Sequence, residues 1–336
     1  MERLMQVLTP RPSDRLRFGV LAVLGIAACT NSGSNLGPEP SPSKIVEVGV
    51  YLDRDGSRTV TPLDTVFAKA RVALLIRGSV DTFKIALTSA GGIAKFSDVP
   101  LGQYTVAIDA KSVGDSIQVQ AVDSSDIRVT AADSAVGVLA RLGYPEVSIR
   151  QVRNLPAGRR VFVRGIILAG VQSFRDTTSH LNDSTGALRL TRVALRGGLN
   201  GNNPGDSVSV LGVISSRAGQ PTLDLATISR FGTRPAPIAL AVATGTAANA
   251  SNGILDAALV RITGALISDT VTVAPDFKVT VSDGTGSLEI LLDGNLPFPR
   301  TAFKPGRSMN AAGVLVPNGV GGWVFKPRDL GDVTLN

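Results

Sequence analysis

The chain has 336 residues, enough for two or three domains of ordinary size, and its formal net charge is +7. Hydrophobic residues make up 43% of the chain, which excludes wholesale disorder, and the 36 Gly and 19 Pro favour short strands and turns. One Cys and one His exclude a disulfide framework and most His- or Cys-based metal sites.

The first 28 residues have the pattern of a secretory leader. Arginines in the first 17 residues precede an uncharged apolar run from Phe18 to Ala28. This run is shorter than the ~20 residues of a membrane-spanning helix, but it matches the apolar segment of a signal peptide. Ile26-Ala-Ala-Cys29 resembles the lipobox of bacterial lipoproteins, in which the Cys is acylated and becomes the first residue after cleavage.

The lipobox resemblance implies lipidation of Cys29 and a membrane anchor without a spanning helix. Thr30 and Asn31 follow the Cys, where the inner-membrane retention pattern has Asp, which implies the outer membrane. An ordinary signal peptide, or a short anchor with a buried Cys, is the alternative. Residues 29–44 are rich in Gly, Ser and Pro and predict a flexible tether.

Residues 45–144 alternate between apolar and polar positions, which predicts strands, most clearly at 46–52, 70–76 and 104–108. The segment 95–106, KFSDVPLGQYTV, resembles the core motif of prealbumin-like domains, which include carboxypeptidase regulatory-like domains and B-type repeats of surface proteins. The resemblance implies an immunoglobulin-like β-sandwich.

Three acidic residues of this domain, Asp53, Asp55 and Asp64, surround its first predicted turn. Alternate carboxylates that lead into a Gly turn supply the oxygen ligands that Ca²⁺ prefers. A solvated acidic hairpin is the alternative, because an EF-hand-like loop would also need a bidentate Glu further on. Calcium is the one cofactor that the sequence suggests.

The remaining residues contain an internal repeat. Three blocks recur in the same order at offsets of 99, 100 and 101 residues, namely 161–165 with 260–264, 183–190 with 283–290, and 204–213 with 305–314. Each copy predicts five strands with bends at Gly, which is typical of an OB-fold barrel. The pattern resembles bacterial OB domains found beside secreted nucleases and in surface lipoproteins.

The predicted fold is therefore all-β, with an immunoglobulin-like, prealbumin-like sandwich followed by two tandem OB-like five-stranded barrels. The predicted parts are a signal peptide (1–28), a tether (29–44), the sandwich (45–144), barrel 1 (145–233) and barrel 2 (234–336).

The positive charge is concentrated in barrel 1, where 11 Arg and no Lys face five acidic residues and leave a net charge of +6. We expect a basic face that pairs with the phosphates of nucleic acid, lipopolysaccharide or another polyanion. The candidate residues are Arg159, Arg160, Arg164, Arg189, Arg192 and Arg196. Two facts oppose this: barrel 1 has few aromatic side chains for base stacking, and Arg outnumbers Lys 26 to 8 across the chain, as a GC-rich genome would also produce.

No catalytic arrangement is visible in the sequence. The Asp-x-Thr-Gly blocks at Asp183 and Asp283 carry one residue more than the Asp-Thr-Gly of aspartic proteases, and they suit ordinary turns. His180, without a second His or a nearby Cys, is expected to be a polar residue at a strand edge. Trp323 is expected in the core of its barrel, with a stacking platform as the alternative.

The sequence favours a non-catalytic lipoprotein of the cell envelope that acts as a binding or scaffold module. Polyanion binding through barrel 1 is the alternative. The expected partners are the membrane, through the lipid anchor, and either a polyanion or other envelope proteins and glycans.

Overall fold

The structure is a computed structural model that describes residues 42–196 and 201–336. The predicted leader, Cys29 and nearly all of the tether lie outside the described residues. Strands make up 53% and helices 6%, which confirms the all-β prediction. In the two described ranges, no helix has the length and the apolarity needed to cross a membrane.

The N-terminal domain consists of two sheets around one core. Its strands are β1 (Ser43–Asp53), β2 (Thr65–Val66), β3 (Arg71–Ile76), β4 (Thr82–Leu87), β5 (Ile93–Pro100), β6 (Gly102–Ile108), β7 (Gln118–Val122), β8 (Asp126–Val129) and β9 (Ala135–Gly143). One sheet has the order β2-β1-β9-β7, with β5 also paired to β1, and the other has the order β4-β3-β6-β8.

Alternation of apolar residues explains how the two sheets meet. Every second residue of β1 from Val46 to Val50 is buried, and so are Val72 and Leu74 of β3. The strands predicted at 46–52, 70–76 and 104–108 correspond to β1, β3 and β6. The immunoglobulin-like class of this domain stays a prediction.

Barrel 1 is a closed five-stranded barrel. Its elements are α1 (Ile149–Val152), β10 (Arg160–Ala169), β11 (Ser179–Asp183), β12 (Gly186–Leu190), β13 (Ala194–Leu195), β14 (Asp206–Arg217) and β15 (Gln220–Thr233). The strands pair in the cycle β10-β11-β12-β15-β14-β10, and only β12 and β15 within this cycle run parallel.

Barrel 2 repeats this arrangement. Its elements are β16 (Leu240–Ala241), α2 (Thr244–Ala248), β17 (Leu259–Val273), β18 (Asp276–Ser282), β19 (Ser287–Leu292), β20 (Ser308–Pro317), β21 (Trp323–Lys326) and β22 (Val333–Leu335). The cycle is β17-β18-β19-β21-β20-β17, again with one parallel closure, between β19 and β21. Two five-stranded barrels with the same strand order confirm the prediction of two OB-like barrels.

The repeated Asp-x-Thr-Gly block is a turn that caps a helix. In barrel 2, Asp283 lies between β18 and β19 and accepts hydrogen bonds from the N–H groups of Thr244 (3.0 Å) and Thr285 (3.0 Å). In barrel 1, Asp183 accepts from the N–H groups of Ile149 (2.8 Å) and Thr185 (2.6 Å). The turn thus holds α1 or α2 against the barrel, which explains why the block recurs.

The two barrels share an apolar interface. It consists of one buried cluster to which barrel 1 contributes Leu168, Ala169, Phe174 and Ala187 and barrel 2 contributes Ala257, Leu259 and Val314. Polar contacts surround it. The Arg153 Nη2 donates to the carbonyl oxygens of Ala187 (2.8 Å) and Asp256 (3.2 Å). The half-buried Trp323 packs against the barrel 2 core and donates to the Asp256 carboxylate (2.9 Å), which matches its expected place in the barrel.

Barrel 1 also packs against the N-terminal domain. Phe162 of β10 and Leu211 of β14 belong to the core cluster of that domain, and the Phe162 ring lies 6.1 Å from the ring of Tyr144. The outer surface of barrel 1 is therefore covered on two sides. What stays open between and beside these contacts determines which surfaces can bind a ligand.

Candidate polyanion-binding site

The face of an OB barrel formed by its second and third strands is a frequent ligand surface. In barrel 1 this face, on β11 and β12, is covered by barrel 2. His180 and Arg189 lie opposite each other on these strands, and only 0% and 5% of their surfaces are exposed. His180 was expected at a strand edge and Arg189 on a basic face, and both expectations differ from the structure because barrel 2 packs on them.

The burial of His180 has an electrostatic consequence. Neither ring nitrogen has a hydrogen-bond partner within the described chain, and the Phe174 ring meets the imidazole edge-on at 5.7 Å. Burial lowers the pKa of His180 to about 3, and the nearby charges of Arg189 and Lys326 add to this against the opposing effect of Asp176. The histidine is therefore neutral near pH 7.

In barrel 2 the equivalent face, on β18 and β19, is not basic. Lys278 and Glu289 form an ion pair on it with a separation of 2.8 Å, and Thr280 and Leu291 lie beside them, half-buried. Such a face has neither unpaired positive charge nor an aromatic platform for a polyanion. The sequence difference between Arg189 and Glu289 correctly indicated this.

Two of the predicted arginines are directed towards the N-terminal domain. Arg164 donates from Nη2 to the carbonyl oxygen of Gly56, and its Nε lies 3.2 Å from the Glu146 carboxylate. Arg196 donates to the carbonyl oxygen of Arg54 over 3.4 Å. Both side chains are half-buried. They contribute to the contact between domains as well as to the surface charge.

The other three predicted arginines are exposed. Arg192 pairs with Asp224 through two hydrogen bonds, which neutralises its charge locally. Arg160 lies over the ring of Tyr144, with its guanidinium carbon 5.6 Å from the ring centroid. The six predicted arginines therefore do not act as one exposed face, since Arg189 is buried and Arg192 is paired.

A cavity of about 540 Å³ on barrel 1 brings together a different set of residues. We call it the Phe231 cavity, and its lining includes Arg164, Asn182, Ser184, Ser207, Phe231 and Arg234. Phe231 is 59% exposed, although large aromatic residues are usually buried. The guanidinium carbon of Arg164 lies 5.2 Å from the centroid of its ring. A flat, cation-backed aromatic surface thus lies beside a second arginine, Arg234, which is also exposed.

Two further cavities continue from the Phe231 cavity. The Ile254 cavity, of about 300 Å³, shares Asn182 and Asp183 with it and is mainly apolar, with Leu168, Pro237, Ile238, Ile254, Leu255 and Leu259 in its lining. The Arg150 cavity, of about 450 Å³, shares Thr185, Gly186 and Ile254 with the Ile254 cavity. It includes Arg150, Arg153, Gln220, Asn252 and Gly253. The three cavities adjoin one another through these shared residues at the β11–β12 turn, and we call them together the inter-barrel groove.

The three predicted calcium ligands do lie together. Carboxylate oxygens of Asp53, Asp55 and Asp64 are within 4.8 Å of one another. Asp53 accepts hydrogen bonds from the N–H of Gly56 (2.6 Å) and from Nη1 of Arg141 (3.2 Å). Burial raises the pKa of Asp53 despite these bonds. The cluster thus organises its loop through N–H groups and one guanidinium, and calcium binding there stays a prediction.

No protein-family model matches the sequence. No curated protein matches it either. Among solved structures, the chain is similar to asparaginyl-tRNA synthetase from Pyrococcus horikoshii, with 18% identity over 24% of this chain and 20% of that one and a TM-score of 0.21. It is also similar to the Ifi202 HINa domain in complex with 20bp dsDNA, with 10% identity over 54% of this chain and 97% of that one and a TM-score of 0.26. The chain thus spans only 20% of the synthetase, and the OB-like assignment rests on the strand order of the two barrels.

Two residues of the groove, Phe231 and Arg234, were not among the residues predicted from the sequence. Phe231 is one of the few aromatic residues of predicted barrel 1, and Arg234 is the residue at which predicted barrel 2 begins. The available signal was an aromatic residue near the end of predicted barrel 1, followed closely by Arg and Pro. Its proximity to Arg164 depends on the barrel, because 67 positions separate them in the chain.

Proposed function

We propose that this protein is a non-catalytic, lipid-anchored binding protein of the cell envelope, and that its ligand is a phosphate-bearing polyanion held in the Phe231 cavity. The observation that carries the proposal is the exposed Phe231 ring, which has the Arg164 guanidinium over it and lines one cavity together with Arg164 and Arg234. Guanidinium groups pair with phosphate oxygens, and an aromatic face accepts a stacked planar group.

The electrostatics of barrel 1 support the proposal. Its net charge of +6 attracts a polyanion over distances up to the Debye length, which is about 10 Å at 0.1 M salt. Arg234 is exposed and lies at the rim, whereas Arg164 is oriented by Glu146 and by Gly56. One arginine is thus held in place, and the other is free to meet phosphates.

The burial of His180 supports the non-catalytic part of the proposal. The chain has one histidine, and its surface is 0% exposed, so it is not accessible to a substrate as a general base. Asp183 and Asp283 each cap the helix of their own barrel, which is a structural use of these carboxylates.

The test is salt-dependent binding of the full chain to a single-stranded oligonucleotide and to inorganic polyphosphate, followed by fluorescence anisotropy. We expect both to bind at low salt, with an affinity that falls as salt rises because counterions are released. Arg234→Glu should weaken binding at least about tenfold, since one charged hydrogen bond is lost and repulsion is added.

Arg128→Glu in the N-terminal domain is the matched control, because Arg128 is also exposed and its replacement changes the net charge equally. An equal loss with Arg128→Glu would mean that only the net charge matters. No binding of either probe at low salt would overturn the proposal and favour the scaffold role, with envelope proteins or glycans as partners.

A further inference from the structure

The inter-barrel groove extends the Phe231 cavity onto barrel 2, and its chemistry changes along its length. Arginines lie at both ends, namely Arg164 and Arg234 at one and Arg150 and Arg153 at the other. The middle is apolar. A ligand that follows the groove must therefore carry negative charge at intervals and flat or apolar groups between the charges.

The exposed apolar residues of the middle section have no evident structural role. Ile238 is 89% exposed and Ile254 is 77% exposed, and both line the Ile254 cavity. Each comes from a segment of barrel 2 or its connection, while Leu168, which also lines the cavity, comes from barrel 1. Isoleucines held open to water in such a cavity lose solvent-exposed apolar area when a ligand enters.

The segment that presents Ile254 adopts an unusual backbone. Ala250, Ser251 and Asn252 have φ angles of 47°, 49° and 57°, and Gly253 follows with 86°. Consecutive left-handed residues other than Gly are unfavourable and persist where the surrounding structure requires them, often at binding sites. Here the left-handed turn places Asn252 and Gly253 in the wall of the Arg150 cavity and leaves Ile254 at its junction with the Ile254 cavity.

We infer that the inter-barrel groove binds a single strand of nucleic acid across both barrels, with phosphates at its two arginine ends and bases against Phe231 and the apolar middle. This inference rests on the proposed function and names its ligand class. Charge complementarity at both ends favours a phosphate backbone, and the exposed aromatic ring favours bases over an aliphatic chain.

The groove also explains why both barrels belong to one site. Barrel 1 supplies Arg150, Arg164 and Phe231, whereas barrel 2 supplies Ile254 and its left-handed turn. Because the buried contact between barrels holds these walls together, the groove is formed before the ligand arrives.

The experiment compares an oligothymidylate of about 15 nucleotides with an abasic strand of equal length and with one of about 4 nucleotides, all by anisotropy with the full chain. The long strand should bind at least about tenfold more tightly than the abasic one, because only bases fill the apolar middle. Ile254→Asn and Arg150→Glu should each lower the affinity for the long strand several-fold and leave the affinity for the short strand unchanged.

Ile85→Asn and Arg128→Glu are the matched controls, since both residues are exposed in the N-terminal domain and should not affect binding. Equal affinities for the oligothymidylate and the abasic strand would overturn this inference. It would also be overturned if Ile254→Asn and Arg150→Glu had no effect while Arg234→Glu still weakened binding. The proposed function would then survive with the Phe231 cavity as its whole site. Absence of binding by every anion would instead overturn the proposed function.

Discussion

At the scale of single residues, the chain places its one histidine where it cannot exchange protons freely with water. His180 lies under barrel 2, opposite Arg189 and near Lys326, and Asp176 is the acidic group beside it. Because protonation would add a third positive charge to a buried site, the neutral form is favoured in the folded state.

This arrangement predicts a pH dependence of stability. The pKa of His180 falls from 6.5 to about 3 on folding, so the unfolded chain takes up a proton first as the pH falls. The contribution of His180 is therefore fully present above pH 6.5 and is lost progressively between pH 6.5 and pH 3. We expect it to lower the free energy of unfolding by up to about 1.4 kcal/mol per pH unit in this range.

Chemical denaturation between pH 5 and 6.5 measures this dependence where most carboxylates are still ionised. In that window the free energy of unfolding of His180→Gln should change less steeply with pH than that of the parent protein, because glutamine does not titrate. If the free energies of unfolding of the two proteins changed equally with pH, His180 would accept its proton equally well in the folded and the unfolded chain.

At the scale of elements, the same block of sequence has the same structural use in both barrels. Asp183 and Asp283 occupy the turn between the second and third strands and accept N–H groups of α1 and α2. Hydrogen bonds from Thr285 and Thr244 hold the pKa of Asp283 well below its usual range. The ionised carboxylate therefore stabilises the folded barrel.

Removing either cap should destabilise its barrel. We expect Asp183→Ala and Asp283→Ala each to lower the free energy of unfolding by about 1–2 kcal/mol, because each carboxylate accepts N–H groups at the start of a helix and in its own turn. Urea denaturation followed by circular dichroism measures it. Asp115→Ala is a suitable control because Asp115 is exposed in a loop. If Asp183→Ala and Asp283→Ala lowered the free energy of unfolding no more than this control, the block would serve turn formation alone.

Two glycines show which part of a strand bend can be predicted from the sequence. Gly165 and Gly264 end equivalent blocks of the repeat, and a bend or bulge was predicted at both. A Cβ at Gly165 would lie 2.3 Å from the carbonyl oxygen of Asn182, whereas Gly264 adopts a φ of 65° beside a shift in strand register. The repeat thus indicated the position correctly, but each glycine is required for a different physical reason.

The short helices were not predicted. With four and five residues, α1 and α2 are too short to show a helical period in the sequence. Their apolar residues, such as Ile149 and Ala247, close one end of each barrel, so it is the barrel that makes these helices stable.

At the scale of the whole molecule, the packing of domains selects which surfaces are open. Barrel 2 covers the β11–β12 face of barrel 1, and the N-terminal domain covers Phe162 and Leu211. Of the six arginines expected to form a basic face, this packing buries Arg189 and turns Arg164 and Arg196 towards a neighbouring domain. The inter-barrel groove stays open beside these contacts.

The predicted lipid anchor is also a property of the whole molecule. We expect Cys29→Ser to move the protein from the membrane fraction to the soluble fraction, because the Cys thiol is the group that is acylated in a lipobox. Cell fractionation with mass spectrometry of the N-terminus measures this, and Ser32→Ala in the tether is the control. An acylated, membrane-bound Cys29→Ser protein would contradict the anchor.

The sequence by itself determined the all-β class and the duplicated module, because strand alternation, turn residues and repeat spacing are local signals. It also located the Asp-x-Thr-Gly turns, the strands β1, β3 and β6, and the concentration of charge in barrel 1. Only the tertiary structure decided that Arg189 and His180 are buried and that Phe231, Arg234 and Ile254 line one groove. Burial and convergence depend on which faces of the domains meet, and that choice is made by apolar surfaces far apart in the chain, such as Phe174 and Val314.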